Sequence, residues 1–162
     1  MKEDTNANIN SYLTFKLGKE SFAANVGKVL EILEVPNITK VPKSPEYMTG
    51  VINLRGNVLP VIDTRIKFGL PKIDCTVNTC IIVINVEMDS ENIIVGALVD
   101  SVQEVLEIQQ AQIQPSPSLG SKYKAEFLEG MTKYHEDFIM LLNIDKVFSA
   151  DELILVKDSL IS

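Results

Sequence analysis

The sequence predicts a mainly β protein: two five-stranded β-barrel subdomains packed around a shared apolar interface, with short helices and a C-terminal helix. Three observations lead there. Residues 50–63 read as a hairpin that is apolar on both faces. The two halves of the chain resemble each other. Short alternating apolar runs recur between turn residues, while helical periodicity is scarce.

The hairpin joins two apolar runs through Gly56-Asn57, the composition of a tight type II′ turn. In that register Leu54 faces Leu59 and Ile52 faces Val61, while Val51 faces Ile62, Asn53 faces Pro60 and Arg55 faces Val58. A hairpin with one wet face would alternate more cleanly. The expectation is a hairpin wedged between two layers, with Arg55 at its tip. Pro60 cannot donate to a ladder, so its strand is expected at an edge or beside a bulge.

The repeat sets the barrel count. Residues 26–35 overlay on 99–108 without a gap, bringing Val29 onto Val102, Glu31 onto Glu104 and Glu34 onto Glu107. Pro42 falls on Pro115 at the same offset, and Val61-Ile62-Asp63 resembles Asn143-Ile144-Asp145. Duplication of one small unit follows. Each unit holds about five short strands, and closure into a barrel removes their exposed edges.

In order along the chain, residues 1–10 are polar and read as a disordered tail. Leu13, Phe15 and Leu17 alternate with polar residues, and Gly18-Lys19 turns the chain into Phe22-Ala23-Ala24. Ser44-Pro45-Glu46 is suited to opening a short helix, and Asp63 to capping another over residues 64–68 that Gly69 stops. Residues 70–78 and 109–124 read as loops. Residues 80–86 and 93–99 are strands, and 138–144 another. Ser149 with Glu152 forms a capping box for a helix to about Leu160. The sub-barrels are expected at roughly residues 11–70 and 79–148, with strand exchange between halves left open, and the C-terminal helix at 149–162.

Composition narrows function. The chain has 162 residues, is 46% hydrophobic and carries a net charge of −7. That sign disfavours phosphate backbones and anionic lipid surfaces. The longest apolar runs are far short of a bilayer span, and two cysteines make no disulfide framework, so a cytoplasmic location is expected.

Catalytic constellations are weak. His135 is the sole histidine, in a polar turn, where a solvated role is commonest. Zinc would need Cys75, Cys80, His135 and a fourth ligand, at a looser spacing than a structural knuckle. No phosphate-cradling glycine pattern occurs. Glu31, Glu34, Glu104 and Glu107 fit the wet face of alternating strands. No catalytic residue, cofactor or metal ligand is assigned, and an enzyme is not expected.

The residues do resemble a family. The chain is similar to the CheW adaptors of bacterial chemotaxis from about Tyr12 to Phe148. The resemblance is carried by Val29-Leu30-Glu31-Ile32, by residues 50–56 with Asn53-Leu54-Arg55-Gly56, by Val58 through Asp63, and by Val99-Asp100-Ser101-Val102. It implies two SH3-like barrels, no catalysis, and an adaptor that couples the cytoplasmic tips of methyl-accepting chemoreceptors to the histidine kinase CheA through the kinase's regulatory domain. It implies recruitment to membrane-associated receptor arrays. The family's receptor-facing positions fall on Val29, Glu31, Gly50, Arg55, Val102 and Val105. The three valines would offer an apolar floor for a helix, Glu31 and Arg55 opposite charges, and Gly50 close backbone approach. The valines are equally suited to a core, and Arg55 to pairing with Glu31 within the molecule. Phe68 and Leu70 are candidates for the kinase-facing surface. A second reading is a stand-alone regulatory or ligand-binding module that controls a kinase or other enzyme.

Overall fold

The structure, a computed structural model, describes residues 9–88, 91–115 and 127–148. The expected C-terminal helix lies outside them. Ten strands form two five-stranded sheets. They are β1 (Ile9–Leu17), β2 (Glu20–Asn25), β3 (Val29–Glu34), β4 (Met48–Leu54), β5 (Asn57–Asp63), β6 (Cys80–Met88), β7 (Glu91–Val99), β8 (Ser101–Gln109), β9 (Leu128–Tyr134) and β10 (Asp137–Leu142). Two one-turn helices, α1 (Thr64–Lys67) and α2 (Ile144–Val147), follow β5 and β10.

The first sheet runs β8-β1-β2-β10-β9 and the second β3-β6-β7-β5-β4. Replacing each strand of the first five by its counterpart in the second five turns one order into the other. The duplication is therefore real, and the halves have traded strands: β1 and β2 sit with β8, β9 and β10, while β3, β4 and β5 sit with β6 and β7. The sheets do not follow a division into residues 11–70 and 79–148. The ladder between β1 and β8, from Ile9 opposite Gln109 to Lys16 opposite Ser101, is what ties the first strands to the second half. It also places Ile9 and Asn10 in a strand, where the composition suggests a tail.

The trade requires the chain to cross between sheets twice, after β2 and after β7, and each crossing is clasped by a carboxylate. At one crossing Asp100 accepts from the Gly18 N–H at 2.6 Å and pairs with Arg65 of α1. At the other Asp145 of α2 accepts from the Glu87 N–H at 2.9 Å and pairs with Lys28 at 2.9 Å. Acid and base have exchanged elements between the two clasps: the acid is on the crossing in the first and on the helix in the second. The function of joining crossing, hairpin turn and helix is retained.

Three apolar clusters result. One is internal to the second sheet, with Ile52, Leu59, Val61, Ile81, Val83 and Leu98. One is internal to the first, with Tyr12, Ala23, Ile108, Ile139 and Leu141. The largest lies between the sheets, where Leu13, Phe15 and Phe22 meet Ile62, Ile82 and Ile84. Strand β6 shows why its sequence is a continuous apolar run. Ile81 and Val83 point into their own sheet's core and Ile82 and Ile84 into the shared layer, so both faces are buried.

The 50–63 hairpin is wedged as expected: Ile52, Leu59 and Val61 face the second sheet's own core, Met48 and Ile62 the shared layer. Its register differs from the sequence expectation by two residues. Leu54 pairs with Asn57 and Ile52 with Leu59, so the turn residues are Arg55 and Gly56. Both have positive φ, 50° and 86°, the signature of a type I′ turn, whose twist matches the strands. The Asn53 side chain accepts the Gly56 N–H at 2.7 Å and seals it. A slip of two preserves which face each side chain occupies, so the layering survives the error. Strand β5 is not an edge, although its parallel pairing with β7 begins only at Val61, just past Pro60.

Asp63 caps α1 through the Arg65 N–H at 2.9 Å. Its counterpart ahead of α2 is Asn143, not Asp145. Ser44-Pro45-Glu46 opens no helix; a single Met48 N–H to Pro45 carbonyl bond makes a turn there.

Candidate functional site

Strand order leaves β3 and β4 at the two ends of the second sheet, and β8 and β9 at the ends of the first. Side chains draw these ends together. In the second sheet Arg55, at the β4–β5 tip, donates from both terminal nitrogens to the two carboxylate oxygens of Glu31 on β3, each at 2.8 Å. In the first, Tyr134 at the end of β9 donates to Glu104 of β8 at 2.7 Å. Glu31 and Glu104 are repeat counterparts, so the same acid closes each barrel with a different partner.

The Glu31–Arg55 pair is a rigid, two-pronged contact. Arg55 hydrogen bonds hold the Glu31 carboxyl below its usual value, and Glu31 in turn raises Arg55. The guanidinium nevertheless stays 69% exposed. Ile32, next to Glu31 in β3, and Val58, three residues beyond Arg55, are apolar side chains 45% and 63% exposed. An oriented charge beside protruding apolar groups is suited to gripping another protein, and offers no nucleophile, base or metal ligand set.

The other sequence-derived positions separate by burial. Val29 and Val102, counterparts at the starts of β3 and β8, are half-buried against the shared apolar layer. Val105 is 56% exposed. Gly50 is buried, and a Cβ there would lie 2.3 Å from the Thr39 carbonyl oxygen. The close approach expected of Gly50 is thus made by the chain itself, in the bridge between Thr39 and Val51. Gly130 repeats this against Gln114. Gly50 shapes the loop before β4 and presents no surface.

Phe68 corrects the expectation of a kinase-facing side chain. It is 6% exposed, stacked on Phe22 at 5.5 Å and tilted against Phe127 at 5.8 Å. Helix α1 is one turn long, so its C-cap residue falls back onto the shared layer. Leu70 is half-buried against the same cluster. Phe68 is therefore no surface anchor, whereas Leu70 keeps part of its side chain exposed.

Sequence reasoning missed Ile32 and Val58, and the repeat held the signal for one of them. Ile32 overlays on Val105, which had been selected, and both emerge exposed. The carboxylate clasps were invisible because acid and base exchange places between the repeats.

Comparison with known proteins supplies a context for this surface. Residues 11–152 match the CheW-like domain family model. The chemotaxis protein CheW of Klebsiella aerogenes is 34% identical over 145 residues, covering 90% of this chain and 85% of that protein. The probable chemotaxis protein CheW of Rhizobium etli is 36% identical over 140 residues, covering 86% and 88%. The crystal structure of the scaffolding protein TtCheW from Thermoanaerobacter tengcongensis superposes with a TM-score of 0.77 at 29% identity, covering 88% of this chain and 94% of that one. Among the described residues no helix is long and apolar enough to cross a membrane.

Proposed function

The chain belongs to the CheW family of non-catalytic chemotaxis scaffold proteins, and from that premise we propose that it couples the cytoplasmic tips of chemoreceptor helical hairpins to the regulatory domain of the histidine kinase CheA. In this reading the protein is recruited from the cytoplasm to membrane-associated receptor arrays and breaks no bond of its own.

The observation that carries the receptor half is the Glu31–Arg55 pair. Arg55 is held by two hydrogen bonds yet remains 69% exposed, so its orientation is fixed before any partner arrives. Pre-orientation lowers the ordering cost of docking and sets the direction in which a helix is laid. Val105 supplies exposed apolar contact, while Val29 and Val102 line the floor beneath from the shared layer. Gly50 contributes indirectly, by seating the Thr39 bridge that braces β4.

The test is binding of a chemoreceptor hairpin tip displayed on a soluble coiled coil. Arg55→Ala is expected to weaken capture with only the small fall in melting temperature that loss of an exposed ion pair brings. Val105→Asp is expected to abolish it, since a carboxylate would be desolvated against the helix. Unaltered capture by both variants would remove the receptor assignment.

A further inference from the structure

Both third strands of the repeat, β3 and β8, carry a bulge at the same place. In the second sheet the register against β6 jumps between Val29 and Glu31, with Val83 opposite Glu31. In the first the register against β1 jumps between Leu13 and Phe15, which pair with Val105 and Val102. Two residues of β8, Gln103 and Glu104, therefore face one of β1, Thr14. The bulge is what turns Val105 and its neighbours toward solvent beyond the half-buried Val102.

The counterpart of Thr14 in the other repeat is Val83, an apolar residue of the same branching. Thr14 is 3% exposed, and a buried hydroxyl is costly unless it is bonded. Its Oγ1 donates to the Glu104 carbonyl at 2.7 Å and accepts the Glu104 N–H at 3.0 Å. One hydroxyl thus closes both backbone groups of the bulged residue, doing what a ladder partner does in regular strand. The Glu104 carboxylate is fixed separately by Tyr134. Glu104 is therefore held by backbone and side chain at once, immediately before Val105.

We infer that Thr14 is a positioning residue for the receptor-facing surface: its buried hydroxyl locks the β8 bulge and so sets where Val105 stands. This rests on the reading of Val105 as receptor-facing. Without the hydroxyl, the N–H and carbonyl of Glu104 lose their partners at the part-buried bulge, and β8 is driven to re-register or fray around Val105.

Two substitutions separate positioning from packing. Thr14→Val keeps the shape and removes the hydroxyl; Thr14→Ser keeps the hydroxyl and removes a methyl. Full-length variants are assayed for binding to the coiled-coil receptor tip, alongside amide exchange at Glu104. Thr14→Val is expected to weaken binding about tenfold, corresponding to ~1.4 kcal/mol, and to speed Glu104 amide exchange. Thr14→Ser is expected to bind like wild type with a slow Glu104 amide, whatever its melting temperature. Wild-type binding by Thr14→Val, equal losses in both variants, or a fast-exchanging Glu104 amide in the wild-type protein would overturn the inference. Should Thr14→Val fail to fold, the wild-type Glu104 exchange rate and the Thr14→Ser affinity still decide it. Val105→Asp is run in parallel. If it also leaves capture intact, the receptor reading has failed; if it abolishes capture while Thr14→Val does not, only the positioning role has.

Discussion

Replacing Phe68 by alanine distinguishes a core ring from a kinase anchor by the size and kind of damage. The ring lies between Phe22 of the first sheet and Phe127 just ahead of β9, so it bridges the two sheets through α1. It also lines an apolar gap of about 20 Å³ together with Phe15, Ile82, Leu142 and Phe148. Removing it enlarges an existing void whose walls belong to separate sheets and cannot easily collapse inward. Phenylalanine-to-alanine changes in cores cost roughly 3–5 kcal/mol, and this geometry favours the upper half of that range. For a chain of this size each kcal/mol lowers Tm by about 2–4 °C, giving an expected fall of roughly 8–20 °C. Calorimetry measures it, and capture of the kinase regulatory domain is assayed well below both transitions. Retained capture with a large fall in Tm is the expected pair of results. A Tm within about 2 °C of wild type, together with lost capture, would show that the ring faces a partner and that the packing argument is wrong.

Three further predictions follow from the same geometry. Gly50→Ala and Gly130→Ala should each destabilise the protein strongly, because a Cβ would sit 2.3 or 2.6 Å from a backbone carbonyl oxygen; chemical denaturation of each variant gives the comparison. Glu31 has a folded value below its unfolded one, so its contribution is present at neutral pH and lost as pH falls through that lowered value. The Tm difference between wild type and Glu31→Gln should accordingly shrink on acidification. Glu129 is pushed the opposite way, by burial first and to a lesser degree by Asp145, against the lowering effect of the Tyr12 hydrogen bond. Its ionised form carries a penalty above the raised value that is relieved as pH falls, so Glu129→Gln should raise Tm at neutral pH and lose that advantage in acid.

The layering was legible because it depends on side-chain parity, which the sequence displays directly. Ile52, Leu59 and Val61 against Val51 and Ile62 fall on opposite faces under either hairpin register. The turn itself was misplaced because Arg55 adopts positive φ, a conformation that residue-type preferences assign to Gly56 or Asn57. The repeat gave ten strands but not their partners, since a strand pairs equally well with its own unit or its copy. That choice is made by long-range ladders such as β1 with β8. At the site, the Glu31–Arg55 pairing was among the readings open from the sequence. Phe68 was misassigned because a large ring near a loop looks like a surface anchor until the short helix is seen to fold it inward.

The traded strands also determine how this molecule comes into being. Strand β1 leaves the ribosome early, yet its β8 neighbour is not synthesised until the chain is far longer. Contacts so distant in sequence are closed late and slowly. Until then Leu13, Phe15 and Leu17 have only β2 as a strand partner, while β3 to β7 already supply every strand of the second sheet. Completion of the second half is thereby the event that folds the first sheet.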